Sequence, residues 1–254
     1  MKRKFPLIIL SIIFLSMAVF SGYQMVLIMS EYHAGEVVYD DAVQFMTINH
    51  DTNTDFENAP ANEDDGILWP EVDFEALCNV NSEVVGWIYL EDSKINYPVV
   101  RGTDNSYYLN RLYDRSYNSS GSIFMDYRNS DDFSDIHNIL YGHHMNNGTM
   151  FAGIAKYKDQ AYYDGHPYCL LLTPEENYKV EFFAGYVASV VDDITAWDLT
   201  CESDSDFESW VAQTKTKSTF VSDVTPTADD KIITLSTCSY EFDNARYVLV
   251  GVLR

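Results

Sequence analysis

The stretch Ile232-Ile233-Thr234-Leu235-Ser236-Thr237-Cys238 is followed, after a polar segment from Ser239 to Asn244, by Arg246-Tyr247-Val248-Leu249-Val250-Gly251-Val252-Leu253. Both runs are apolar and rich in β-branched residues, and a connector of seven residues separates them. Such a pair reads as an antiparallel hairpin. In a hairpin the end of one strand lies beside the start of the next, so Cys238 and Arg246 are predicted to meet at one rim of a sheet. A guanidinium beside a thiol favours the thiolate or stabilises an oxyanion.

Upstream, Ile139-Leu140-Tyr141-Gly142-His143-His144-Met145 is an apolar run that ends at a Gly and a His pair. It places the histidines at another strand end or in the loop after it. Cys, His and Arg at strand ends form a candidate nucleophile, proton carrier and charge stabiliser. Each also has a plainer reading: a buried core thiol, a surface His pair, an edge charge. Adjacent histidines point in different directions and have no HxH or HxxxH partner, so a metal site is not predicted.

Further apolar runs lie near 85–90, 94–100, 121–126, 136–142, 168–173 and 178–191, to which the hairpin adds 231–237 and 246–253. Eight short runs divided by turn residues predict a mainly β fold, a barrel or sandwich. Helical interruptions are predicted at Val72–Leu77, 149–158 and 204–218, the last with Phe207, Trp210, Val211 and Thr214 on one face. Residues 31 to about 50 carry apolar positions near helical spacing. Residues 51–66 are Asp, Asn, Glu, Pro and Ala with one aromatic, the composition of a solvated linker.

The Thr-Leu-Ser-Thr-Cys…Arg and Tyr-Gly-His-His segments resemble those of sortases, membrane-anchored cysteine transpeptidases of Gram-positive bacteria. Class B is favoured by Val85-Gly86-Trp87-Ile88, Ile95-Asn96-Tyr97-Pro98-Val99-Val100, Asp104-Asn105-Ser106-Tyr107-Tyr108-Leu109, Gly121-Ser122-Ile123-Phe124-Met125-Asp126-Tyr127-Arg128-Asn129, Met150-Phe151 and Asp206-Phe207-Glu208-Ser209-Trp210. The resemblance covers residues 67–254 in consistent order. It implies an eight-stranded barrel with peripheral helices, and three regions: a cytoplasmic tip and transmembrane anchor (1–30), an N-terminal helix and acidic linker (31–66) and a catalytic domain (67–254). It implies catalytic roles for His143, Cys238 and Arg246, and substrate-binding roles for Ser236, Thr237 and His144. A carboxylate such as Asp126 orienting His143 stays open.

The implied reaction cleaves a C-terminal sorting motif of a secreted protein after Thr, through a thioacyl-enzyme. It then joins the protein to a peptidoglycan amine, with no metal or other cofactor. An Asn-Pro-X-Thr-like or Ser/Asn-Pro-X-Thr-Gly motif is the expected signal. The alternatives are a pilin-polymerising sortase, a papain- or NlpC-like cysteine peptidase and a non-enzymatic surface protein. Class C pilin sortases often carry a second C-terminal span, whereas the last apolar run here reaches Leu253 with none after it. In papain-like enzymes the Cys precedes the His, and here His143 comes first.

Charge supports an exported domain. Net charge is −23, which argues against a nucleic-acid partner. Lys2, Arg3 and Lys4 precede an apolar run, Phe5–Phe20, which resumes at Met25–Met29; no Lys or Arg then appears until Lys94. The span is long enough to cross a bilayer with tilt, and its flanking charge predicts a cytoplasmic N-terminus. All 39 acidic residues follow it. Among the four cysteines, Cys78 and Cys169 read as small buried hydrophobes and Cys201 as more exposed. A Cys169–Cys201 disulfide is conceivable for an exported chain, and any disulfide at Cys238 would rule it out as a nucleophile.

Overall fold

The computed structural model describes residues 4–48, 66–191, 194–198, 200, 203–239 and 241–254. The sequence linker of 51–66 therefore lies almost wholly outside the described residues. Helix α1 (Lys4–Ala42) leads into a 3-10 turn and a two-residue strand β1 (Met46–Thr47), which pairs with β2 (Glu71–Val72). Helix α2 (Phe74–Val80) follows, started by Asp73, whose side chain accepts from the Ala76 N–H.

Eight strands then close a barrel: β3 (Val84–Tyr89), β4 (Asn96–Val100), β5 (Ile123–Met125), β6 (His137–Tyr141), β7 (Tyr168–Leu172), β8 (Asn177–Ser189), β9 (Lys231–Cys238) and β10 (Ala245–Leu253). Their order around the barrel is β10-β8-β7-β3-β4-β5-β6-β9, and β9 closes onto β10. The pairs β4–β5 and β6–β9 are parallel, and the others are antiparallel. All eight runs expected from the sequence are strands. Helix α3 (Gln160–Gly165) and helix α4 (Asp204–Lys217) sit outside the barrel wall.

The barrel strands read as near-continuous apolar runs because both faces are covered. One face of β9 and β10 puts Ile233, Leu235, Tyr247 and Leu249 into the main core with Trp87, Phe151 and Phe182. The other puts Ile232, Val248, Val250 and Val252 against Phe207 and Val211 of α4. Each such side chain taken out of water contributes about 1.5–3 kcal/mol before entropy is set against it. Helix α4 is capped by Ser203, which accepts from the Asp206 N–H, and carries Asp204 and Asp206 in its first turn and Lys215 and Lys217 in its last. That charge order complements the helix dipole.

Helix α1 has two parts. Residues 9–30 are exposed throughout, and the Ile9–Phe45 stretch is long and apolar enough to cross a membrane. From Glu31 onward the same unbroken helix lies on the barrel, burying Gly35, Tyr39 and Ala42 at helical spacing.

Candidate active site

The hairpin register sets the first two residues. Arg246 on β10 lies directly opposite Cys238 on β9. Directly paired residues project to the same face with their Cβ atoms about 5 Å apart. That face is the outer wall of the barrel, just beyond the part covered by α4. The next pair, Tyr247 with Thr237, faces the other way. Thr237 is accordingly buried and its Oγ1 donates to the Gly142 carbonyl at 2.8 Å.

The third residue arrives on the neighbouring strand. β6 runs parallel to β9, pairing Tyr141 with Ser236, and the Gly142 N–H donates to the Ser236 carbonyl at 3.1 Å. His143 therefore leaves the sheet level with Cys238. Gly142 permits this turn: a Cβ there would stand 2.5 Å from Ile123 Cδ1 and 2.7 Å from Phe151 Cγ. The His143 carbonyl accepts from the Phe151 N–H at 3.0 Å, which pins the loop to the 3-10 helix Phe151–Lys158.

His143 and Cys238 lie close enough that each shifts the other. The His143 contact draws the Cys238 thiol below its ordinary pKa, against burial, with help from the Arg246 charge. The same contact holds the His143 pKa above its ordinary value, against burial and against Arg246. The other side of the imidazole, Nε2, meets the Leu109 backbone carbonyl at 2.8 Å. A carbonyl only accepts, so Nε2 carries a proton and Nδ1 is the nitrogen left for the sulfur. Among the described residues no carboxylate is hydrogen-bonded to His143. Asp126 is fully buried elsewhere: burial alone would raise its pKa, but Arg128, Tyr141 and Asn105 donate to it and hold it down at about 2.

Cys238, Cys169 and Cys78 are free thiols. Cys169 is buried in the core, and burial pushes its thiol pKa up. Cys78 is only half-buried on α2, where Leu77 takes the core position expected of it. Cys201 lies outside the described residues. The Arg246 guanidinium donates through one nitrogen to the Ala245 carbonyl at 2.9 Å. Among the described residues no cluster of His, Cys, Asp and Glu is arranged to hold a metal ion.

Cys238, His143 and Arg246 line a groove of about 540 Å³, together with Leu109, Phe124, Tyr141, Val190, Ile194 and Trp197. A groove with apolar walls and a few convergent polar groups suits an extended peptide. Ser236 lines it, but its Oγ already accepts from the Trp197 indole N–H at 3.3 Å. His144 turns away from the groove and places Nδ1 3.1 Å from the Cys238 carbonyl. His137 is buried against Trp210 of α4. It is held neutral, its pKa lowered to about 4 by burial, with Nδ1 donating to the Asp198 carbonyl at 2.6 Å and Nε2 accepting from Thr234 at 2.8 Å. It ties the segment that carries Trp197 to the nucleophile's strand.

The turn after Cys238 is also strapped down. Lys158 pairs with Glu241, which in turn meets Ser239. The Lys158 ammonium beside it holds the Glu241 carboxyl at about 2.

No family model matches the chain. Sortase B of Listeria monocytogenes is 32% identical over 246 residues, spanning 96% of this chain and 95% of its own. Among solved structures, sortase B from B. anthracis in complex with AAEK1 has a TM-score of 0.72 at 33% identity, covering 89% of this chain and 99% of that one. The S. aureus sortase B–substrate complex has a TM-score of 0.67 at 36% identity, covering 71% and 84%. Similarity at this level along nearly the whole of both chains, on a barrel that brings a free thiol to an imidazole, makes this protein a member of the sortase B family, a cysteine transpeptidase.

Proposed function

We propose that Cys238 is the nucleophile, His143 the proton carrier and Arg246 the oxyanion stabiliser of a reaction that joins a secreted protein to a cell-wall amine. The observation that carries this reading is the hairpin register opposing Arg246 to Cys238, with the parallel β6–β9 pairing that brings His143 level with the same residue. The Cys238 thiolate attacks the carbonyl carbon of the scissile peptide bond in a sorting signal. Arg246 donates hydrogen bonds to the oxygen as it gains charge. The C–N bond breaks, and the His143 imidazolium gives its proton to the departing amine.

The thioester that remains is resolved by an incoming amine, which passes a proton to neutral His143. The C–S bond breaks and the thiolate returns. One solved sortase B structure is a complex with triglycine, a peptide amine of the kind this second step requires. The apolar groove receives the sorting signal in an extended conformation. In this reading α1 anchors the protein with its N-terminus in the cytoplasm and its barrel outside, supported by the three basic residues that precede the apolar run.

The test is turnover of quenched sorting peptides by the full-length chain in detergent, with and without a peptidyl amine. Amine-dependent formation of the joined product, lost in Cys238→Ala, is the expected result. Joining that survives Cys238→Ala contradicts the assignment.

A further inference from the structure

We propose that Tyr39, on the membrane-proximal part of α1, is a positioning residue for His143, acting through Gly121 and the Leu109 carbonyl. This rests on the reading of His143 and Cys238 as the reacting pair.

The link is short and made of backbone. Tyr39 is buried, its ring edge-on to Tyr97 at 5.0 Å and near Tyr113 at 6.1 Å. Its hydroxyl donates to the Gly121 carbonyl at 2.6 Å and lies 3.4 Å from Ser122 Oγ. Gly121 adopts φ +59°, and a Cβ there would stand 2.6 Å from the Leu109 carbonyl oxygen and 2.7 Å from that of Tyr108. The bare α-carbon of Gly121 therefore backs directly onto the oxygen that His143 Nε2 meets at 2.8 Å. The next residue stitches the two turns together: the Ser122 N–H donates to the Tyr108 carbonyl at 3.0 Å and its Oγ to the Arg111 carbonyl at 2.7 Å.

The helix grips the same turn at further points. Glu31 accepts from the Ser119 N–H at 2.9 Å, and its carbonyl accepts from Asn118 at 2.8 Å. Gly35 lets Asn118 approach so closely that a Cβ would lie 3.1 Å from its Oδ1. On the other side, Glu36 accepts at 2.9 Å from Asn147, in the loop that leaves His143. The helix thus holds both the support of the Leu109 carbonyl and the loop that bears the imidazole. A small shift of that carbonyl lets the ring turn away from the sulfur, and misplacement of a reacting group is costly in rate.

Full-length protein in detergent provides the test, comparing wild type with Tyr39→Phe, Gly121→Ala and Cys238→Ala. Three quantities are read: kcat and KM on a sorting peptide, the pH profile of Cys238 alkylation by iodoacetamide, and the melting temperature. Tyr39→Phe keeps the ring packing and removes one hydroxyl. It is expected to lower kcat about threefold to tenfold with KM nearly unchanged, and to move the alkylation profile to higher pH. Gly121→Ala should do the same more strongly.

A Tyr39→Phe protein that matches wild type in kcat and alkylation profile overturns the proposal, whether or not its melting temperature falls. If Gly121→Ala does not fold, Tyr39→Phe decides alone. Turnover that persists in Cys238→Ala instead overturns the reading of the reacting pair.

Discussion

His143 meets the backbone carbonyl of Leu109 through Nε2 at 2.8 Å, while its interaction with Cys238 raises its pKa. A backbone oxygen thus does what an aspartate does in a Ser-His-Asp triad: it selects the tautomer and aims the ring. Unlike an aspartate it brings no full charge. The interaction with Cys238 is the largest influence on the imidazole's proton; burial opposes it, the Leu109 carbonyl adds to it and the Arg246 charge works against it.

The pH dependence follows from the signs of the two shifts. The Cys238 pKa is lowered, so its thiolate appears at lower pH than that of an ordinary thiol. The His143 pKa is raised, so its imidazolium persists to higher pH than usual. The active pair is thiolate with imidazolium, and kcat/KM should be bell-shaped between the two limits. In His143→Ala, whose largest effect is to remove the contact that lowers the thiol, alkylation of Cys238 by iodoacetamide should shift to higher pH. An unshifted alkylation profile contradicts the pairing.

Arg246→Lys keeps the charge opposite Cys238 but loses the planar fork that reaches both the Ala245 carbonyl and a developing oxyanion. The expected result is a loss in kcat of about 100-fold, with KM changed far less, since a donor aimed at the transition state acts on kcat. Steady-state kinetics on one sorting peptide measures it. A loss confined to KM would make Arg246 a binding residue only.

Asp126 is a structural carboxylate. Its pKa, about 2, lies below the ordinary carboxylate range, so its contribution to stability is present above the unfolded value near 4 and is lost as pH falls toward 2. Asp126→Asn breaks a fully buried, hydrogen-bonded charge and leaves Arg128 without its bidentate partner. It should cost about 3 kcal/mol, read by denaturant unfolding, and flatten the stability loss between pH 4 and pH 2. The alkylation profile of Cys238 should stay in place; a shift would give Asp126 a role in the reacting pair after all.

The eight strands were legible because each is an apolar run closed by turn residues; in the hairpin the core covers one face and α4 the other. The juxtaposition of Cys238 and Arg246 was legible from connector length alone. Helix α3 was not: six residues are too few for a periodic signal, and only Asp159, whose side chain caps it, marks its start. The partner of His143 was illegible in principle, because a carbonyl belongs to every residue and Leu109 is brought in by a separate turn. The Asp-Tyr-Arg spacing of Asp126 and Arg128 was a local sign that this carboxylate has a partner of its own. Trp197 and Ile194 reach the groove from the long connector between β8 and β9, whose path one sequence does not encode. The side chains of Ser236 and Thr237, read as substrate contacts, are engaged by Trp197 and by the Gly142 carbonyl.

The central claim is that Cys238 becomes acylated. Incubating the full-length chain with a panel of sorting peptides, quenching in acid and mapping peptides by mass spectrometry tests it most directly. The account predicts a thioester adduct on Cys238 whose mass equals the peptide portion ending at Thr, absent in Cys238→Ala and discharged by an added peptidyl amine. Cleavage of a peptide with Cys238 unmodified throughout, or an adduct on another residue, would contradict it.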